Sequence, residues 1–378
     1  MKNIKYIVAI LVSGILITIS FLLFNNKIEN NVKGNITIWA NSINFDYLNE
    51  SAKKFMEVND KSKVNVIKVQ SYEYENKVED AFNKDILPNI IQMDSNYLAK
   101  IAEDNRYEIS IEQETSIIDD YSKNFTSGRI DEVKVDGKLV GIPLTSRPLV
   151  LYLRQDMMDT YGYKHENINT WESLIDMGKD IFAKSNGEVR ILNATGQDYD
   201  DLISLLTMQA MEESLIYEDV INDVKEKLEL LNVENIINTK EGGKFLARIS
   251  SINGMRELKA LEEECVWTAN NAPSKVSGSN KFYVAEGDNL VVVSKVNSNS
   301  ELIRRFIGFL TTNTKDGIED IKDGQFFLSF LSTYKNREIE SDINNFKGKS
   351  PLVIMSNITE KAPRVRDYKL YRKVIDNL

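Results

Sequence analysis

Asn35-Ile36-Thr37-Ile38-Trp39-Ala40 opens a stretch that runs to Ile90-Ile91-Gln92-Met93 and decides the fold. The first six residues alternate polar and apolar, the period-two pattern of a half-buried strand. Leu48, Ala52, Phe55 and Met56 then fall at i, i+4, i+7 and i+8. That spacing lays one apolar stripe along a helix, with Lys53, Lys54 and Glu57 on the wet side. Lys63 to Val69 is rich in β-branched residues and reads as a second strand. Glu75 to Phe82 reads as a helix with Val78, Ala81 and Phe82 inward, and Pro88 opens the third strand. Strand, helix, strand, helix, strand within about sixty residues predicts a parallel sheet with right-handed crossovers.

Outward from this stretch the signals continue. Val133 to Val140 reads as a hairpin, because Asp136-Gly137 suits the two positive-φ positions of a type I′ turn. Pro143 and Pro148 bracket an extended segment, Leu144 to Arg147, and Leu149 to Leu153 is a strand. Thr170 is placed as an N-cap, with Trp171 and Glu172 in the first turn of a helix to about Lys184. Leu202 to Met211 and Val220 to Leu231 are helical. Val266 to Thr268 and Leu290 to Val293 are short strands, and Asn271-Ala272-Pro273 reads as a crossing between lobes. Ser300 is placed as the cap of a helix with the stripe Leu302, Ile303, Phe306, Phe309 and Leu310.

Composition narrows the function. The chain has 378 residues and a net charge of −10, which repels phosphate backbones and argues against a nucleic-acid partner. Cys265 and His165 are the single cysteine and the single histidine, so an internal disulfide and a Cys/His zinc site are excluded. Cys265 reads as a buried thiol and His165 as a solvated loop residue. Gly348-Lys349-Ser350 ends like a phosphate-binding loop, but Ile343 stands where that pattern needs glycine. There is no Gly-x-Ser-x-Gly elbow. Acidic pairs such as Asp119-Asp120 and Asp200-Asp201 carry no catalytic signal in so acidic a chain. The reading is a binding protein without cofactor or metal, and not an enzyme.

Lys2 and Lys5 precede an apolar run from Tyr6 to Phe24 that is roughly long enough to cross a bilayer. No cysteine and no Ala-x-Ala pattern offers a processing site. Residues 1–33 are therefore expected to be an uncleaved signal anchor and short linker, a single-pass N-terminal helix holding the rest outside the cytoplasm.

In this order the motifs resemble the family 1 extracellular solute-binding proteins of ABC transporters, the maltose-binding-protein type. The resemblance is carried by Ile36-Thr37-Ile38-Trp39, by Pro88-Asn89-Ile90-Ile91, and above all by Asp136-Gly137-Lys138-Leu139-Val140-Gly141-Ile142-Pro143. Leu151-Tyr152, Thr170-Trp171-Glu172, Pro273, Glu286-Gly287 and the helix after Ser300 follow in register. Two glycine pairs usual in the family are altered, to Met211-Glu212-Glu213 and Glu286-Gly287-Asp288, and an aromatic usual near Ile252-Asn253-Gly254 is absent.

The resemblance implies an α/β, two-lobed periplasmic-binding-protein type II fold with a ligand cleft between the lobes. The expected division is residues 34–146 plus 273–313 for the first lobe and 147–272 plus 314–378 for the second. Open sheets bind ligands beyond the carboxyl ends of their strands, and lobes of this kind close by hinge motion. The candidate ligand residues are therefore Trp39, Asn41 and Ser42 after the first strand, Asp94 and Asn96 after the third, Arg147 in the crossing segment, Tyr199 in a polar loop, and Trp267 on a second-lobe strand. Trp39 and Trp267 are expected to face each other across the cleft, since a sugar needs flat aromatic faces and oriented polar groups. The expected function is the monomeric, sugar-capturing subunit of an ABC importer that hands its solute to permease membrane subunits. Two alternatives stand beside it: a receptor coupled to a membrane signalling protein, and a binder of an anionic solute such as a uronate or sugar phosphate, which Arg147 would suit.

Overall fold

The structure is a computed structural model and describes residues 32–103, 121–293, 299–313 and 315–378. Its strands are β1 (Gly34–Ala40), β2 (Ser62–Lys68), β3 (Ile90–Asp94), β4 (Lys134–Val135), β5 (Lys138–Leu139), β6 (Gly141–Pro143), β7 (Val150–Arg154), β8 (Val189–Asn193), β9 (Ile237–Asn238), β10 (Lys244–Ser250), β11 (Trp267–Asn271) and β12 (Asp288–Val292). They form two five-stranded sheets, ordered β2-β1-β3-β12-β6 and β11-β7-β10-β8-β9, and a small β4-β5 hairpin. The longer helices are α1 (Phe45–Glu57), α2 (Tyr74–Lys84), α3 (Ser95–Glu103), α4 (Trp171–Lys184), α5 (Gln197–Met211), α6 (Tyr217–Val233), α7 (Ile252–Lys259), α8 (Ser300–Thr312), α9 (Pro351–Lys361) and α10 (Tyr368–Ile375).

The opening stretch folds as its pattern dictates. In β1 the alternation puts Ile36, Ile38 and Ala40 into the core. In α1 the stripe buries Leu48, Ala52 and Phe55, and Phe55 meets Phe306 of α8 edge-on at 5.4 Å between ring centroids. The β4-β5 turn has φ of 51° at Asp136 and 77° at Gly137, as a type I′ turn requires. Thr170 caps α4 through a reciprocal box with Ser173, while buried Trp171 donates its Nε1–H to Gln209 Oε1 at 2.7 Å.

As the opening stretch predicts, β2, β1 and β3 are parallel; β12, whose direction the local pattern leaves open, pairs antiparallel with both β3 and β6. The register explains the reversal. Asp288, the first residue of β12, pairs with Asp94, the last of β3, so a strand arriving from the other lobe must run back along β3. The second sheet is likewise mixed, with β10, β8 and β9 parallel and β7 antiparallel to β10 and β11.

The crossing expected at Asn271-Ala272-Pro273 lies later. Ala272 sits in the second-lobe core, and the Pro273 carbonyl accepts from Gln209 Nε2 at 2.8 Å. The chain joins the lobes instead at 283–288. Segment 144–149 pairs there with 283–288 on one side and with 327–329 on the other. The residues just after 314, expected in the second lobe, side with the first: Asp316 pairs with Lys54 at 2.6 Å, and Phe326 packs on Tyr47. Residues 6–24, read as the membrane anchor, lie outside the described residues. Among the described residues no helix is long and apolar enough to cross a membrane.

Candidate functional site

The junction between the sheets is where their strand ends and crossing segments converge. Arg147 N donates to the Glu286 carbonyl at 2.8 Å, and Ala285 N donates back to the Arg147 carbonyl at 3.0 Å. On the other flank Ser146 N donates to Phe327 O at 2.8 Å and Ser329 N to Leu144 O at 2.9 Å. Three extended segments thus lie side by side, and the backbone fixes where their side chains stand.

Arg147 is held from both lobes. One guanidinium nitrogen donates to Glu286, and the other donates to Asp201 Oδ1 at 2.6 Å on α5. Arg147 and Glu286 keep 25% and 26% side-chain exposure, whereas Asp201 keeps 1%. Asn96 Nδ2 donates to the other Glu286 oxygen at 3.0 Å, and Ser250 Oγ donates to Asp201 Oδ2 at 3.2 Å. Burial alone would lower the Arg147 pKa, but Glu286 and Asp201 together hold it above the usual arginine value.

Asp94 closes the acidic side. Its Oδ1 accepts from Tyr97 N at 2.7 Å, capping α3. Burial first, and then the charge of Glu286, pushes its carboxyl up to about 6. Asp288 stands beside it, bonded to Asn44 Nδ2 at 2.8 Å and Thr145 Oγ1 at 3.2 Å. Two carboxylates, Glu286 and Asp201, therefore take the guanidinium of Arg147, and Asp94 and Asp288 add negative charge on the Glu286 side. The next arginine, Arg129, is buried and pairs with Glu132. Among the described residues, Asn96 Oδ1, Asn44 Oδ1 and Gln92 Nε2 are buried polar atoms without a hydrogen-bond partner. The partly exposed groups here, Asp94, Asn96, Arg147 and Glu286, can exchange hydrogen bonds with a hydroxyl-rich neutral molecule, and their net negative charge repels an anion.

The predicted residues divide accordingly. Asp94, Asn96 and Arg147 come together. Trp39, Asn41 and Ser42 lie on the neighbouring strand end, joined to it through Asn41 N and Gln92 Oε1 at 3.0 Å. Asn41 Oδ1 is spent on the turn, accepting from Ile43 N and Asn44 N. Ser42 Oγ donates to Gln70 Oε1 at 3.2 Å. The Trp39 ring packs on the first core and carries Lys77 Nζ at 5.2 Å, so it is not a free stacking face. Tyr199, expected in a loop, is in the first turn of α5 and packs on the second-lobe core.

Trp267 is not a cleft wall. It is 2% exposed, and its ring packs against Phe245 at 6.3 Å. Register gives the reason: Trp267 pairs with Arg154 while Asn271 pairs with Val150, and Val150 is the end of β7 next to the crossing. Trp267 is thus at the far end of the second sheet, beside a groove of about 770 Å³ lined also by Arg154, Lys244 and Leu261.

Sequence reading missed Glu286, Asp201, Asp288 and Tyr72. Asp201 had a usable signal, because Asp198 and Asp201 are one helical turn apart and share the buried face of α5. Asp198 takes Arg248 there, through Nη2 at 2.6 Å. Tyr72, two residues after Gln70 in the chain, is 85% exposed and offers the open ring that Trp39 does not. Among the described residues no group of His, Cys, Asp and Glu is placed to hold a metal ion.

The sequence pattern of the bacterial extracellular solute-binding proteins matches residues 50–315. A lactose-binding protein of Rhizobium radiobacter is 26% identical over 168 residues, 43% of this chain and 39% of that protein. An arabinooligosaccharide-binding protein of Halalkalibacterium halodurans is 27% identical over 110 residues, 28% of this chain and 24% of that one. The aligned stretches thus span about two fifths and a quarter of those relatives. The solved structure of a cyclic α-maltosyl-1,6-maltose binding protein from Arthrobacter globiformis superposes with a TM-score of 0.70 at 13% identity, covering 91% of this chain and 94% of that one. At that identity the likeness speaks for the fold alone.

Proposed function

Because this chain belongs to the bacterial extracellular solute-binding proteins, we propose that it is an extracytoplasmic receptor for a neutral mono- or oligosaccharide, held at the membrane by residues 6–24 and delivering its solute to an ABC permease. The observation that carries the neutral ligand is the state of Arg147. Its two donor faces are taken by Glu286 and Asp201, and Asp94 and Asp288 add further negative charge. A uronate or sugar phosphate needs an uncommitted cation at this junction, and Arg147 is not one. Hydroxyl groups suit the partly exposed Asp94 carboxylate and Asn96 amide, and a ring face suits Tyr72. The sugar-binding names of the relatives support the same ligand class. The family is one of binding proteins, and a bound sugar is expected to leave unchanged.

The test is a thermal-shift series on the full chain with lactose, maltose and arabino-oligosaccharides against glucuronate and glucose 6-phosphate. A neutral sugar at about a hundred times its Kd stabilises by roughly 2.7 kcal/mol. Stabilisation by the anionic sugars alone overturns the proposal.

A further inference from the structure

The chain as a whole carries ten more acidic than basic groups, yet Lys361–Lys373 concentrates six basic residues against one acid, Asp367. Local folding turns them outward. Asp367 caps α10 by accepting from Leu370 N at 2.9 Å, and Leu370, Tyr371 and Val374 bury the apolar face. Lys361, Arg364, Arg366, Lys369 and Lys373 are left exposed. Arg366 is steadied by the Met211 and Glu212 carbonyls at 3.1 and 3.2 Å, and Lys373 stands 3.9 Å from the Tyr217 ring centroid. Among the described residues, none of Lys361, Arg364, Arg366 and Lys373 is within ion-pair reach of a carboxylate.

This surface is concave and shared. A pocket of about 380 Å³ lies between Lys100 of α3, itself paired with Glu75 and Glu79, and Lys369, Arg372 and Lys373 of α10 with the Asp376 that follows, where Asp376 pairs with Arg372. A second, of about 180 Å³, lies between Lys134 and Arg364, Arg366 and Lys369; Asp131, Glu132 and Asp367 also line it, with Asp131 paired to Lys134 and Glu132 to Arg129. α10 packs on α3 of the first lobe and on α5 and α6 of the second. Both lobes therefore build the surface together.

We propose that this basic, concave face is a docking surface for an acidic segment of a protein partner. Positive charge on an otherwise acidic molecule selects one orientation for a negative partner and repels it elsewhere. A protein partner fits better than a bilayer for two reasons. A bilayer is flat, whereas these cations rim pockets. Moreover, among the described residues α3 and α10 themselves carry no large exposed apolar side chain to insert into lipid; the exposed Leu215 and Ile216 lie at the start of α6, next to Tyr217.

The experiment measures a fluorescein-labelled oligoglutamate peptide binding to the full chain in non-ionic micelles. Wild type is expected to bind at low salt and to release the peptide near 1 M salt, where the Debye length is about 3 Å. The variant Arg364→Glu/Arg366→Glu/Lys373→Glu is expected to lose roughly tenfold or more in affinity, with sugar binding unchanged. Reversal at Lys61, Lys63 and Lys225 is expected to change little. Should the triple variant melt early, Arg364→Gln/Lys373→Gln replaces it, with a loss of roughly fivefold expected. Equal losses from both sets of reversals overturn the proposal. So does displacement of the peptide by phosphatidylglycerol, but not phosphatidylcholine, added to the micelles, because the surface then reads lipid.

Discussion

Replacing Trp267 by alanine separates the core reading of this residue from a ligand-contact reading. The indole is 2% exposed, and a buried tryptophan removes roughly 150–250 Å² from water. At about 25 cal/mol per Å² that is an upper bound of roughly 4–6 kcal/mol. Tryptophan-to-alanine changes in cores cost about 3–5 kcal/mol. The cost here is expected at the lower end, about 3–4 kcal/mol, because the hole would open into the 770 Å³ groove and fill with water instead of staying an empty cavity. The strand itself should survive, since Trp267 N donates to Asn345 O and Lys347 N to Trp267 O through backbone alone. For a unit of 150–250 residues each kcal/mol moves Tm by roughly 2–4 °C, so a fall of about 6–16 °C is expected. Calorimetry without ligand measures it, and titration with a sugar from the thermal-shift series, well below the lowered Tm, measures affinity. Affinity is expected within about twofold of wild type, because Trp267 is remote from the junction. Trp267→Phe should recover most of the loss. Near-native melting with a tenfold or larger loss of affinity would refute the argument from register and burial.

Three further outcomes follow from the junction. Arg147→Met should destabilise by about 3 kcal/mol in denaturant unfolding, because Asp201 is left buried with a charge that only Ser250 and Gln197 address; an unchanged midpoint contradicts the pairing. Asp94 has its carboxyl raised to about 6 from an ordinary value of 3.8, so its contribution to stability is full below pH 3.8 and lost as pH rises through 6. Asp94→Asn keeps the cap on α3 and should be more stable than wild type at pH 8 by roughly 1–2 kcal/mol after allowing for partial exposure. That advantage should shrink toward pH 4, and a constant difference across the range counts against the shift. Gly287→Ala should cost about 1–3 kcal/mol, since its Cβ would lie 2.1 Å from the Thr145 carbonyl at the crossing; a neutral substitution, read by thermal melting, means the crossing segments are looser than described.

By itself the sequence settled whatever depends on neighbours along the chain. Period two in Asn35–Ala40, the stripe through Leu48, Ala52 and Phe55, Asp136-Gly137 at positive φ and the Thr170 cap are all local physics, and each formed as read. The order of those motifs also carried the family. Tertiary structure decided direction, partnership and depth, because each depends on residues far apart in the chain. β12 runs antiparallel because Asp288 enters beside Asp94, 194 positions earlier. Arg147 reads from sequence as a free cation, yet Asp201 and Glu286, 54 and 139 positions away, neutralise it. Trp39 and Trp267 are equally plausible stacking rings in one dimension. Only the register of β11 on β7 puts Trp267 at the far end of its sheet, and only the approach of Lys77 covers Trp39. An aromatic residue in a strand has the same local signature whether its ring meets ligand or core, since burial is a property of the packed sheet and not of the segment.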